Sequence, residues 1–585
     1  MLALPRPFAL ITTTVLAFAF GCGGGGSTTA GPTGGTGPGA SGGAGGTEAV
    51  GGTGAAGGSA GMPGTGGSGA SSPGGSAGSG AAAGSGAAPA AGAGALSGSG
   101  ASAGGASAGS GVGAMAGSSA GGSAGAAAGS LSLTITPNPN SVLSCYVSFT
   151  TAAPASAKVQ FGVSGYQWEI ADDAVVSDHK VLVIGMRASQ TYSIRAIAGA
   201  ESGEGTFMTA ALPPDVPAAT VMINDEAKRA PGWTLMNVQK GGADNRPRSS
   251  VPPMAVIYDE EGQPVWYYID GPGPDIGGAV STQLTSTGVV IGPTWNQQNT
   301  NGVPPREVDF AGNILWECKH AACQPGKDVT HETQKLSNGH YVVLEYVTVG
   351  GAQNPVFREL DADSQEVWTL DWAKLLPAPS GSTGDWCHGN AIRIDIEKNE
   401  VYANCRWMGL MKASYTNPAY QWLIPAEYGS KGQGDFTYVP ADSQFSDAHD
   451  PEYHDDDDTV LFYDNGGWSG SVDADTSSFH SRAVEYTIDA TAKTATLSWE
   501  FPGSFQVPDT WYTTEWYSPF WGDVDRLANG NVLVAAGQIG AGHESRVFEV
   551  SKADGALVWE LRLPDNYGVY RADRVVPPLV RALTP

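Results

Sequence analysis

Beyond residue 130, apolar and polar positions alternate in short runs, the two-residue period of half-buried strands. The first runs cover residues 133–135, 144–150, 157–161, 179–184, 193–198 and 205–208, with turn residues between them. Their spacing predicts a small β-sandwich of the fibronectin type III kind over residues 131–214. No convergent polar groups stand out in it, so a spacing or docking role is expected.

From residue 216 a longer period takes over. An acidic turn followed by an apolar residue and a tryptophan recurs at Asp259, Gly262, Val265 and Trp266, and at Asp309, Gly312, Leu315 and Trp316. It returns at Asp361, Val367 and Trp368, and at Asp554, Gly555, Val558 and Trp559. Trp422 and Trp499 end two runs of the same kind, and the tryptophan spacings are 50, 52, 54, 77 and 60. A polar turn before a strand alternates with this motif, at Asn338, Asn399, Asp458 and Asn529. Each pair of motifs makes about four short strands, and six such units predict an all-β, six-bladed β-propeller over residues 216–585. The interval of 77 leaves room for a seventh blade; we read it as an insertion, because it also holds the loop 438–447.

Within the repeat, residues 391–396 and 401–406 flank a polar turn and read as a β-hairpin. It brings His388 near Arg406, and a cysteine precedes each. An imidazole beside a guanidinium suits an anionic group such as sulfate, phosphate or carboxylate. His331 and His449 also stand just before strand repeats, so three blades would each send one histidine to a common axial site, with Arg406 alongside. The other histidines do not share this position and read as surface or core residues. The acidic run from Asp455 to Asp458 reads as a solvated turn.

The N-terminal part is of another kind. Residues 1–22 have the form of an export signal, with Arg6, an apolar run over 8–20 and a cut site before Cys22. The apolar run is short for a membrane span. Cys22 ahead of Gly-rich sequence predicts a lipid anchor in a bacterial outer membrane, placing the protein in the periplasm or on the cell surface. Residues 23–130, almost wholly Gly, Ala, Ser and Thr, cannot offset their backbone entropy by burial and predict a disordered tether. A net charge of −27 argues against a nucleic-acid partner and makes any anion site a local positive pocket. Export favours paired cysteines. Cys318 with Cys323 would close a short loop, Cys387 with Cys405 would staple the hairpin, and Cys145 is left as a buried thiol.

Asp385, Trp386, His388 and Asn390, Arg406 eighteen residues after His388, and His449 and Asp450 leading to Phe462, Asp464, Asn465 and Gly466 form a specific combination. With the runs 259–267, 481–486 and 527–531, it resembles the bacterial arylsulfate sulfotransferases, from about residue 216 onward. The resemblance implies an exported six-bladed propeller, often with a small N-terminal β domain. It implies cofactor-free, PAPS-independent transfer of a sulfuryl group from a phenolic sulfate to a phenol through a sulfohistidine. His449 would be the nucleophile, His331, His388 and Arg406 would grip the sulfuryl oxygens, and Asn390 would add a substrate contact. Asp450 is expected to turn back and orient the His449 ring. One departure concerns donor preference: Thr330 and Glu332 flank His331 where the family pattern has His and Asp. Two other readings stand beside this one. Three histidines backed by Asp450 or Glu332 suit a metal enzyme, against which Arg406 and the lack of a close-spaced His pair weigh. A non-catalytic surface propeller binding an anionic or glycan ligand fits the same scaffold.

Overall fold

The computed structural model describes residues 130–240, 251–270, 281–293, 303–324, 326–427, 434–466, 481–502, 518, 521–539, 544–576 and 580–582. The expected export signal, Cys22 and nearly all of the tether lie outside the described residues.

The fold is all-β. Among the described residues, six sheets each contain a four-stranded antiparallel meander, and a seventh sheet joins five strands of the N-terminal region to Arg581–Ala582. Trp266, Trp316, Trp368, Trp422, Trp499 and Trp559 each fall on the fourth strand of a meander. In every meander the register slips between the third and fourth strands, beside that tryptophan. The recurrent acidic residue has a local cause. One carboxylate oxygen of Asp259 accepts the N–H groups of Glu261 and Gln263, and one of Asp361 accepts those of Asp363 and Gln365. The side chain thus closes the turn in place of backbone. Gly262, at φ +77°, occupies the left-handed region that glycine reaches without strain.

The first strands of the meanders are Thr282–Leu284, Val329–Lys335, Gly389–Asp395, Ala448–His454, Asp523–Arg526 and Tyr567–Val575. They contact one another in a closed cycle. Both ends of the repeat region close it: Tyr567–Val575 pairs with Trp233–Lys240, and Thr220–Asn224 pairs with Leu557–Arg562. In the interval of 77 residues, the described residues hold one meander and one extra strand, Thr437–Val439, parallel to Thr494–Phe501.

The N-terminal sheet departs from the expected strand pattern. Two expected strands are one, Cys145–Gly162, whose register against Trp168–Val183 breaks between Thr150 and Ala157. Pro154 has no N–H to give a ladder there. Both arms of the strand feed a single core through Val147, Phe149, Val159 and Phe161, and that core continues into Trp233, Ile257 and Trp266. Trp168 lies edge-on to Trp233, and Arg187 pairs with Asp259 at 2.6 Å. This sheet therefore shares apolar burial with the repeat region. Among the described residues, no helix is long and apolar enough to cross a membrane.

Candidate active site

Four of the six inner strands lose register near their starts: between Thr330 and Thr333, Gly389 and Ala391, His449 and Glu452, and Val569 and Ala572. Bulges of this kind re-aim side chains. In or beside the breaks stand His331, Asn390, His449 with Asp450, and Tyr570 with Arg571. His331, His388 and Asp450 have φ values of +67°, +55° and +44°, rare for residues with a Cβ and concentrated at functional sites.

His331 and His388 meet with their Nε2 atoms 3.4 Å apart and their rings perpendicular. Asp385 orients His388, accepting its backbone N–H at 2.9 Å and pairing with its Nδ1. The Arg406 backbone joins two of the strands. Its N–H donates to the His388 carbonyl at 2.9 Å, and its carbonyl accepts the Ala448 N–H at 3.2 Å. Its guanidinium bonds Asp447 through Nε at 2.6 Å, both residues being buried. The disulfide between Cys387 and Cys405 spans this corner with the Cα atoms 5.2 Å apart; Cys318 and Cys323 form a second disulfide, and Cys145 is free and buried.

His449 is 1% exposed, and its Nδ1 pairs with Oδ1 of Asn465. The Asn465 amide nitrogen donates to the carbonyls of Ser518 and Trp521, each at 2.8 Å. An amide nitrogen so engaged leaves only its oxygen for His449, so Nδ1 carries the ring proton and Nε2 keeps a bare lone pair. Burial pushes His449 well below the usual histidine range. Arg406 pushes the same way, as do His388 and Arg571, against the opposing Asn465 bond. His331 is also pushed well below it, by burial first and then by His388, His449 and Arg406. Aromatic rings complete the site: Tyr346 lies 5.3 Å from His331, Trp407 lies 5.0 Å from His388 and Tyr570 lies 5.8 Å from His449.

The four residues singled out from sequence, His331, His388, His449 and Arg406, are drawn together here. Asn390 lies among them, with its amide nitrogen on the Ala448 carbonyl at 3.0 Å and its oxygen on Asn404 at 2.6 Å. Asp450 does not orient the His449 ring, as had been expected; Asn465 does. Asp450 instead faces Arg393 at 3.0 Å and Arg571 at 2.5 Å. Asp447 and Arg571 were not anticipated. Asp447 stands two residues before His449, a visible signal, whereas nothing near Arg571 in the sequence marks it.

Among the described residues, the donor set does not suit a metal. Among the described residues, only Asp450, Asp523 and Asp525 bring ligand atoms within 4.8 Å of one another. All four oxygens of Asp450 and Asp523 are already engaged by Arg393, Arg571 and the Ala572 N–H. A guanidinium therefore stands where a cation would need to bind. The facing nitrogens of His331 and His388 find no third His, Cys or carboxylate ligand among the described residues.

No curated protein matches the chain. Solved structures similar to it include BamB from Moraxella catarrhalis, at 11% identity over 74% of this chain and 96% of that one, with a TM-score of 0.24. The Pan2 WD40 domain of Neurospora crassa is similar at 12% identity over 61% of this chain and 91% of that one, with a TM-score of 0.28. The family model of the arylsulfotransferases (ASST) matches residues 222–571, a span that takes in five inner strands whole and ends on Arg571 within the sixth; the chain belongs to the arylsulfotransferase family.

Proposed function

We propose that the protein is a PAPS-independent aryl-sulfate sulfotransferase that carries the sulfuryl group on Nε2 of His449. The observation that carries this reading is the Asn465 bond, which holds the His449 proton on Nδ1 and leaves Nε2 nucleophilic. Burial keeps that imidazole neutral, as a nucleophile requires.

In the first half-reaction Nε2 attacks sulfur, and the N–S bond forms as the bond from sulfur to the aryl oxygen breaks. The departing phenolate takes a proton from Nε2 of His388, whose ring Asp385 holds in place through Nδ1. In the second half-reaction His388 removes the proton of the acceptor phenol. The phenol oxygen then attacks sulfur, the N–S bond breaks, and His449 returns to its starting state. Sulfuryl transfer resembles phosphoryl transfer in its loose transition state, with charge on the peripheral oxygens. Fixed donors aimed at those oxygens supply most of the catalysis, and Arg406 and His331 fill that role. Asn390, spent on the Ala448 carbonyl, serves the position of the His449 strand more than direct substrate contact.

The six meanders and their cycle of inner strands support a six-bladed propeller over residues 216–585. The N-terminal sheet, residues 131–214, is a docked β module of the fibronectin type III kind. Export, lipidation at Cys22 and a tether over residues 23–130 complete the account, placing the site at the cell envelope with small phenolic substrates and no nucleic-acid partner. Transfer of sulfate from 4-nitrophenyl sulfate to phenol, followed by release of 4-nitrophenol, tests the reaction. Purified protein that gives neither product under any acceptor would sink it.

A further inference from the structure

Arg571 lies on Tyr567–Val575, the last of the inner strands and far in sequence from the rest of the site. It is 1% exposed, with Nη1 2.5 Å from Asp450 and 2.8 Å from Asp523. Asp450 is wholly buried, and its other oxygen takes Arg393 at 3.0 Å. These four side chains link four inner strands: Gly389–Asp395, Ala448–His454, Asp523–Arg526 and Tyr567–Val575. The Arg571 backbone is pinned as well. The N–H groups of Tyr570 and Arg571 both donate to Asn237 Oδ1, at 3.1 and 2.8 Å, and Ala572 N–H donates to Asp523 at 2.8 Å.

The link holds the segment that presents His449. Asp450 follows His449 directly, has a φ of +44° and sits inside the register break between His449 and Glu452. Aspartate enters the left-handed region more readily than most residues with a Cβ, and inside a strand its surroundings must hold it there. Here one guanidinium comes from the preceding sheet and one from the strand that closes the cycle. Asn465 sets the proton on the His449 ring, and the Asp450 ion pairs set where the backbone puts that ring.

We propose that Asp450 and Arg571 are positioning residues for His449, so that the reactive geometry is complete only once the C-terminal strand has docked. The proposal rests on His449 as the sulfuryl-accepting residue. It has a signature that mere loosening lacks. The charged or titratable groups around His449 are Arg406, His388, His331, Tyr570 and Arg571. Asp447 counters Arg406, Asp385 pairs with His388, and Asp450 counters Arg571, while Asp523, pushed well up by burial and by Asp450, keeps a proton beside that pair. Neutralising Asp450 leaves the arginine less compensated and disfavours a charged His449. Neutralising Arg571 leaves the Asp450 carboxylate less compensated and favours it. The acid limb of turnover therefore moves to lower pH in Asp450→Asn and to higher pH in Arg571→Gln.

The experiment uses the full chain and 4-nitrophenyl sulfate, measuring donor binding separately from single-turnover release of 4-nitrophenol. Each variant should slow release on the order of 10²-fold, the loss that a misplacement of about 1 Å brings, with donor affinity little changed. The acid limbs should part in opposite directions. Arg571→Lys keeps the charge but ends on a shorter stem without the planar guanidinium, so its nitrogen falls short of the place Nη1 holds between Asp450 and Asp523, and it should remain slow. A lone buried charge can unfold a protein, so Asp450→Asn with Arg571→Gln removes both; folded by circular dichroism, it should be slow with an acid limb near that of the wild type. Folded variants at the wild-type rate, limbs that move the same way, or full rescue by lysine would overturn the proposal. A fully active His449→Asn would overturn the reading of His449 beneath it instead.

Discussion

Asn465 turns its side-chain oxygen onto Nδ1 of His449 because its nitrogen is held by the carbonyls of Ser518 and Trp521. The orientation of one amide therefore decides which nitrogen of a buried imidazole is free to react.

Replacing Asn465 with Leu removes that decision while roughly keeping the volume. The wrong tautomer of a catalytic histidine costs as much as about 10⁴ in rate. We expect single-turnover release of 4-nitrophenol to fall by about 10² or more. Stopped-flow measurement checks it, and an unchanged rate would show that something other than Asn465 fixes the ring.

The disulfide between Cys387 and Cys405 closes a longer loop than that between Cys318 and Cys323, with separations of 18 and 5 residues. Loop entropy then assigns them about 3 and about 2 kcal/mol of stability. Cys387→Ala with Cys405→Ala should lower both the melting temperature and turnover, since the bond spans the His388 and Arg406 corner. Cys318→Ala with Cys323→Ala should lower the melting temperature less and leave turnover intact. Equal losses of activity in the two pairs would argue against the corner's role.

Burial pushes Glu332 up to about 8, with Arg393 and Arg571 opposing it and Asp450 adding to it. The folded protein thus keeps a proton that the unfolded chain gives up near the ordinary carboxylate value of about 4.3. That stability is complete at low pH and is lost as pH rises toward about 8. One such proton contributes a slope of about 1.4 kcal/mol per pH unit. Glu332→Gln should therefore melt with a shallower decline between pH 6 and 8 than the wild type. Parallel curves would place the ionised form of Glu332 in the native state.

A chain beginning at Ser130 keeps the backbone bond from Leu131 N–H to the Ser202 carbonyl and every residue of the site. It should fold and turn over 4-nitrophenyl sulfate like the full chain. Loss of turnover on removing residues 1–129 alone would assign the Gly- and Ala-rich segment more than reach.

Much of this was legible because it is local. The Asp that closes most of these turns and the Trp that follows every one are short-range features, so the strands bearing Trp422 and Trp499 were found with the rest. His331, His388 and His449 stood out by their common place before a strand. The register breaks that aim them left no periodic trace, because a bulge is one extra residue whose place depends on its partner strand. Arg571 reaches Asp450 from more than a hundred residues away, 571 against 450, through closure of the cycle. The join of residues 144–150 with 157–161 into one strand was hidden for a similar reason: the turn residues between them are a kink, held straight by the long partner Trp168–Val183.

The central claim is that His449 itself carries the sulfuryl group. Wild-type protein mixed with 4-nitrophenyl sulfate and no acceptor, quenched at alkaline pH and digested, should yield a sulfuryl adduct on the peptide containing His449 by mass spectrometry. The adduct should disappear on addition of phenol and be absent from His449→Asn. An adduct on His331 or His388, or release of 4-nitrophenol by His449→Asn at the wild-type rate, would contradict the account.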